Sequence, residues 1–214
     1  MTEQTNLIST AQAAELSGLS QPQIQKLCRD GAIPAQKVGS TYVIPTEWAA
    51  QFADTVGPGV AARAAGVSRQ TIYTAIADGT LVTVMGNRIA KSSLAEYIRA
   101  REGEKWLNKP YLWGMIYSCM LNLVKSAAPG LTRGYEKNER NFCMTPGLVF
   151  PMLHDIYIKA RGHRWLSEQN KVATDFRLTL MLSEIAPDDF KRRMGLEEQS
   201  DVQLGIYREK KVIA

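Results

Sequence analysis

Two histidines and three cysteines are all the imidazole and thiol groups that the 214 residues hold. Cys28, Cys119 and Cys143 are widely spaced, odd in number and set among apolar residues, the usage of buried thiols in a reducing cytoplasm and not of a disulfide framework. No His or Cys pair has the short spacing of a zinc ligand set, so neither a metal nor a cofactor is expected. Glycine-rich phosphate loops are missing as well: Ala127-Ala128-Pro129-Gly130 has no lysine in the required place. There is no N-terminal apolar stretch of the signal-peptide kind. The longest uncharged run, Pro110 to Val124, is too short for a bilayer and contains Gly114 and Asn122, which makes it a buried helix and not a span. Cys143 and His154 are the one thiol-imidazole combination in principle. Isolated residues of these types in a helical segment are usually structural, and the chain is expected not to be an enzyme.

What the chain does have is a repeat. Gly18-Leu19-Ser20 and Gly66-Val67-Ser68 begin two copies of one pattern, offset by 48 positions. A repeated unit reports its own architecture twice. In each copy a glycine ends one short helix and a serine caps the next. Ser9 and Gln12 have the spacing of a capping box at the head of the first helix. Ile24, Leu27 and Cys28 recur at helical spacing in the first copy, as do Ile72, Ala75 and Ile76 in the second, placing one narrow apolar stripe on each second helix. Asp30-Gly31 and Asp78-Gly79 stop them. Two short helices joined through a Gly-x-Ser turn, the second with a polar outer face, read as a helix-turn-helix.

After each stop the period becomes extended. Gln36-Lys37-Val38 and Tyr42-Val43-Ile44 flank Gly39-Ser40-Thr41, and Leu81 to Met85 and Arg88-Ile89-Ala90 flank Gly86-Asn87, a pair suited to the positive φ angles of a tight turn. Each hairpin is predicted to be a wing. A third helix follows in each copy, capped by Thr46 or Ser92, and returns Trp48 and Phe52, or Leu94 and Ile98, to a small core. Ala53 to Pro58 is a short linker between the copies, reaching about 20 Å if extended, whereas neighbouring major-groove sites lie about 34 Å apart. The bodies of the two domains can make up the difference.

The run from Leu7 to Phe52 resembles the excisionase-type, MerR-like winged helix-turn-helix family. The resemblance is carried by Ser9-Thr10-Ala11-Gln12-Ala13-Ala14, Gly18-Leu19-Ser20, Asp30-Gly31-Ala32-Ile33-Pro34, Lys37-Val38-Gly39 and Tyr42-Val43-Ile44-Pro45. Gly59 to Ile98 is similar to a second, more divergent member, with Ser68-Arg69-Gln70-Thr71-Ile72-Tyr73 fitting the start of the recognition helix. The resemblance implies binding to double-stranded DNA. It covers roughly the first hundred residues, and the first copy departs from it in carrying Gln21-Pro22 where the family usually has a basic residue.

The residue chemistry is compatible with that partner. The major groove presents mixed donors and acceptors. Arg69 suits guanine, while Gln70 and Gln25 suit adenine. Lys26, Lys37, Tyr73 and Thr74 are better matched to phosphates, which fix register without reading sequence. Gln21 belongs to the same polar face, Tyr42 and Asn87 to the wings, and Arg88, beside the second hairpin tip, is expected to enter the minor groove or grip the backbone. Taken singly, each of these residues could equally be a solvated polar group. The formal charge of +5 divides unevenly, at −1 for residues 1–52, +2 for 53–100 and +4 for 101–214, which makes the second copy the better electrostatic match.

The fold class expected is mainly α with small β-hairpin wings: winged helix-turn-helix domains at 1–53 and 59–100, then a helical domain at 105–214. With 45% hydrophobic residues the chain can bury such cores. Tyr111 to Ser126, Thr145 to Ala160 and Ser167 to Ala186 are predicted helices, with Pro151 kinking or restarting its segment, and Pro187 to Met194 is a short final helix. This half reads as a module for homo-oligomerisation, for a protein partner or for sensing a ligand, and Lys159, Arg161, His163, Arg164 and Trp165 as either an auxiliary nucleic-acid surface or a solvated loop. Two functions stay open: a sequence-specific transcription regulator or architectural factor of a bacterium, phage or plasmid, and a DNA-recognition adaptor, like a recombination directionality factor or terminase small subunit, that recruits a catalytic partner.

Overall fold

The fold was obtained as a computed structural model, which describes residues 6–17, 19–131, 139–164, 166–186, 189 and 192–213. It is mainly helical, with small antiparallel sheets confined to the N-terminal part. Contacts divide the chain into two compact units, 1–57 with 83–91, and 58–82 with 92–214. Helices from 59–82 and from the C-terminal half share the second unit.

In the first unit, β1 (Leu7–Ser9), α1 (Thr10–Ser17), α2 (Gln21–Arg29), β2 (Gln36–Val38), β3 (Thr41–Pro45) and α3 (Thr46–Ala53) follow in order. β3 is the central strand, pairing antiparallel with β1 (Ile8 opposite Ile44) and with β2 (Lys37 opposite Tyr42). The Ser9–Gln12 box forms, with the Ser9 N–H donating to Gln12 Oε1 (3.0 Å) and the Gln12 N–H to Ser9 Oγ (3.3 Å). Gln23 closes the head of α2 in the same manner, accepting from the Ser20 N–H at 2.9 Å. Gly31 and Gly39 take positive φ at the helix stop and at the hairpin turn, as expected. Ala13, Ile24, Cys28, Ile33, Ile44, Trp48, Ala49 and Phe52 make the core. The glycine stop placed at Gly18 lies outside the described residues. Thr46 is the first residue of α3 and not its cap: its hydroxyl donates to the Asn6 carbonyl at 2.9 Å and ties the helix back to the strand entrance.

Two expectations about the join between the copies are corrected. The segment expected as a linker contains β4 (Thr55–Val56), a buried strand pairing antiparallel with β5 (Ile89–Ala90). β-branched residues at both positions suit a buried ladder better than a solvated link. The second wing is likewise not a regular hairpin. Residues 81–85 form no strand; a single bridge joins Thr83 to Ile89, and the Val84 N–H donates to the Arg88 carbonyl at 2.7 Å. Met85 and Gly86, not Gly86 and Asn87, take positive φ (56° and 68°). A left-handed methionine costs free energy, which is offset here because its side chain packs against the core of the first unit.

The second unit contains α4 (Pro58–Ala65), α5 (Arg69–Ala77), α6 (Lys91–Glu102), α7 (Lys109–Ala127), α8 (Glu139–Met144), α9 (Pro146–Arg161), α10 (Glu168–Leu182) and α11 (Leu196–Ile213). Ser68 caps α5 by accepting from the Thr71 N–H at 3.1 Å, and Gly66 and Gly79 take positive φ at the two stops. α6 starts one residue before its expected cap Ser92. α7 is buried on nearly every side: Trp113, Met115, Ile116 and Tyr117 are fully enclosed, and Phe142 of α8 meets Trp113 edge-on and Tyr117 tilted, at centroid distances of 5.9 and 4.5 Å. The uncharged run was therefore a core helix. α9 continues through Pro151 without restarting. The proline ring is exposed, and Gly147, whose carbonyl loses its helical donor, is itself half-exposed. Residues 187, 188, 190 and 191 of the expected final helix lie outside the described residues. α11, which the sequence expectations lacked, packs along α7.

Candidate nucleic-acid interface

In the first unit, α2 is held by its apolar stripe, Ile24 and Cys28 being buried and Leu27 half-buried. The geometry of a helix then leaves Gln21, Gln25, Lys26 and Arg29 on the exposed side. These four are not equivalent. The Gln21 amide donates to Thr10 Oγ1 at 3.3 Å and so links α1 to α2. Among the described residues the side chains of Gln25, Lys26 and Arg29 have no hydrogen-bond or ion-pair partner, and Lys26 and Arg29 add charge to the last turn of the helix. The exposure of Arg29 one turn from Lys26 makes it a further contact candidate. On the hairpin, Lys37 is exposed across from Tyr42, whose ring is half-buried against the core and makes Tyr42 first a packing residue.

In the second unit, α5 exposes Arg69, Gln70, Tyr73 and Thr74. Gln70 and Tyr73 lie three positions apart on one face, with Tyr73 45% exposed. The Thr74 hydroxyl is turned back to the Gln70 carbonyl at 3.1 Å. Arg69 lies beside the first turn of α4, where a Cβ on Gly59 would stand 3.1 Å from its Nη2 atom. Ile72 and Ala75 bury the opposite face.

Arg88 departs most from its expected role. Its guanidinium turns into the first unit, donating from Nε to Thr55 Oγ1 (2.6 Å) and from Nη2 to the Thr55 carbonyl (3.0 Å), and it stacks 3.5 Å above the Phe52 ring. Partial burial lowers its pKa to about 10. A wing arginine poised for a groove would be solvated; this one anchors β4. Asn87, next to it, is exposed.

The C-terminal basic stretch is spent on ion pairs at two positions, Lys159 with Asp155 and Arg161 with Asp175; Trp165 lies outside the described residues. Burial pushes the Cys143 thiol up to about 11, with help from Glu139. That keeps it protonated and unreactive at neutral pH, while His154 stacks on Phe150. Among the described residues no group of histidines, cysteines and carboxylates could hold a metal ion, and no helix is long and apolar enough to cross a membrane.

No curated protein and no solved structure matches the chain. The family model described as a helix-turn-helix domain does match, over residues 7–47, spanning β1 through the start of α3 and stopping short of α4 and α5. Residues 7–47 are thus similar to a helix-turn-helix domain, and that similarity supports a DNA-binding role.

Proposed function

We propose that the chain is a sequence-specific double-stranded DNA-binding protein that acts as a transcription regulator or architectural factor. The carrying observation is the outer face of α2: within the matched helix-turn-helix domain, Gln25, Lys26 and Arg29 are exposed and uncommitted. A glutamine can read a base edge and the two cations can neutralise phosphates. α4 and α5, with Ser68 capping α5 and Gly66 and Gly79 at the two stops, supply a second contact through Gln70 and Tyr73. No catalytic group is needed for this activity, and the reading treats the chain as a non-enzyme. Selection of bound duplexes from a random pool, followed by footprinting, tests it: one recurrent element with protection centred on it is expected, and uniform recovery of the pool would refute sequence reading.

A second reading, the adaptor that brings a catalytic partner to DNA, is favoured by one feature of the second unit. Leu148 and Met152 lie one turn apart on α9 and are 76% and 55% exposed. In the regulator reading that face joins copies of the chain; in the adaptor reading it holds another protein. Sedimentation of the full chain on and off DNA separates them: a dimer or larger assembly supports the first, a strict monomer the second.

A further inference from the structure

Inside the second unit, α7, α10 and the C-terminal part of α4 enclose a cavity of about 300 Å³. Its polar lining includes Arg63, Asn170, Thr174 and Arg177, its apolar lining includes Cys119, Leu123 and Leu166, and among the described residues no carboxylate is part of the wall. This size lies at the lower end of ligand sites, and the wall is divided about evenly between polar and apolar surface, which suits a small ligand with one charged end.

The electrostatics of the lining select the ligand. Arg177 is 2% exposed; its guanidinium donates to the Ala64 carbonyl, and Glu102 stands 3.9 Å behind it. Its charge is largely answered from the far side. Arg63 is different. It is exposed and is held by the Gln169 side-chain oxygen, a neutral acceptor, so its full charge is left at the mouth of the cavity. Asn170 and Thr174 are one helical turn apart on α10 and so face the same side. Both are half-buried, and among the described residues neither side chain has a hydrogen-bond partner. Three donors thus converge beside an apolar patch. An anionic group at Arg63 would gain charge-assisted hydrogen bonds, while a compact hydrocarbon body would cover Leu123, Leu166 and Cys119.

We propose that this cavity binds a small amphipathic carboxylate, with the carboxylate on Arg63, Asn170 and Thr174 and the hydrocarbon part on Leu123 and Leu166. A ligand placed so touches α4, α7 and α10 together. Occupancy therefore holds α4 on α10, since a ligand that binds the packed arrangement better shifts the population toward it. The site does not depend on whether α4 and α5 contact DNA.

The test uses the full chain with benzoate and hexanoate as probes and benzamide as the uncharged control. Calorimetric titration and saturation-transfer NMR are expected to show both carboxylates binding, benzamide at least ten-fold more weakly, and slower amide hydrogen exchange in α4 when benzoate is present. Arg63→Gln, a change at an exposed position, is expected to weaken benzoate at least ten-fold and Arg63→Lys less. Thr174→Met, which fills the cavity from α10, is expected to abolish binding while circular dichroism and the unfolding midpoint report an intact fold. Failure of both carboxylates to bind, equal binding of benzamide, or undiminished binding by Arg63→Gln would each overturn the proposal.

Discussion

Gly114 on α7 and Gly205 on α11 meet back to back at the crossing of the two helices. A Cβ built on Gly205 would stand 3.1 Å from the Gly114 Cα and would overlap the Tyr111 carbonyl oxygen; one built on Gly114 would overlap the Val202 carbonyl oxygen. The obstructing atoms are backbone, which cannot swing aside. The two helices come this close only because both positions lack a side chain, and the close approach lets α11 cover α7 along its length.

Gly114→Ala and Gly205→Ala are therefore expected to destabilise the protein by about 1 to 3 kcal/mol, the range for overpacking. In an unconstrained helix the same change stabilises by about 0.5 to 1 kcal/mol. Urea unfolding of the two variants against the parent reads the sign directly, and a stabilised variant at either position would mean the helices do not cross there.

The helix caps and stops of the first hundred residues were legible because their signals are local. Ser20 next to Gln23, Ser68 next to Thr71, and Gly31 and Gly79 at positive φ each report a cap or stop from neighbours in sequence. What escaped was set by distant partners. Thr55-Val56 reads as a linker until Ile89-Ala90 pairs with it. α11 was hidden because its residues are mostly polar and its decisive feature, Gly205, lowers helix propensity. The surroundings of Arg88 escaped for the same reason: adjacency to a turn suggested solvent, and only the fold reveals Thr55 and Phe52 around it.

Arg88 consequently separates stability from recognition. Arg88→Ala removes two hydrogen bonds from a charged donor and a ring contact, and is expected to cost about 1 to 2 kcal/mol of stability, below the usual 1.5 to 3 per charged hydrogen bond because the side chain is only half-buried. Base preference measured on the folded variant should be unchanged. A variant with parental unfolding but altered preference would restore Arg88 to the wing.

Side chains on α2 and α5 should differ in what they lose. Lys26→Ala is expected to weaken binding to all duplexes alike and to reduce the salt slope by about 1, whereas Gln25→Ala and Arg69→Ala should each relax one base position at a cost of about 1 to 3 kcal/mol. Gln21→Ala should cost less, since the Gln21 amide is already engaged with Thr10. Gel shifts across a salt series check all four; equal losses from Gln21→Ala and Arg69→Ala would end the distinction.

Alkaline pH should act on the second unit through Cys143. Its folded pKa, about 11, lies above the ordinary thiol value of 9.0. A raised acid pKa means the neutral thiol is favoured on folding, so this contribution is complete below pH 9 and declines as pH rises toward 11. The difference in unfolding free energy between parent and Cys143→Ala is expected to be flat from pH 7 to 8.5 and to shrink by pH 10. A difference independent of pH would place the thiol in water.

The second unit should resist division at the charged connector Arg99 to Glu104. Cutting the chain at Glu102 removes α4, and with it the Ala64 carbonyl that accepts from the buried Arg177 guanidinium. The Arg99–Glu184 ion pair would go too. Its loss matters less, because both side chains are partly exposed and such pairs are worth about 0 to 1 kcal/mol. Leaving a buried cation short of a hydrogen bond costs more, about 1 to 3 kcal/mol or above, and α10 would lose its cover along Ala173 and Arg177. A 102–214 fragment is therefore expected to be helical but to melt below the full chain and to bind a hydrophobic dye, whereas Arg177→Met within that fragment should recover part of the loss. A fragment as stable as the full chain would show that α4 is only a passenger on α10.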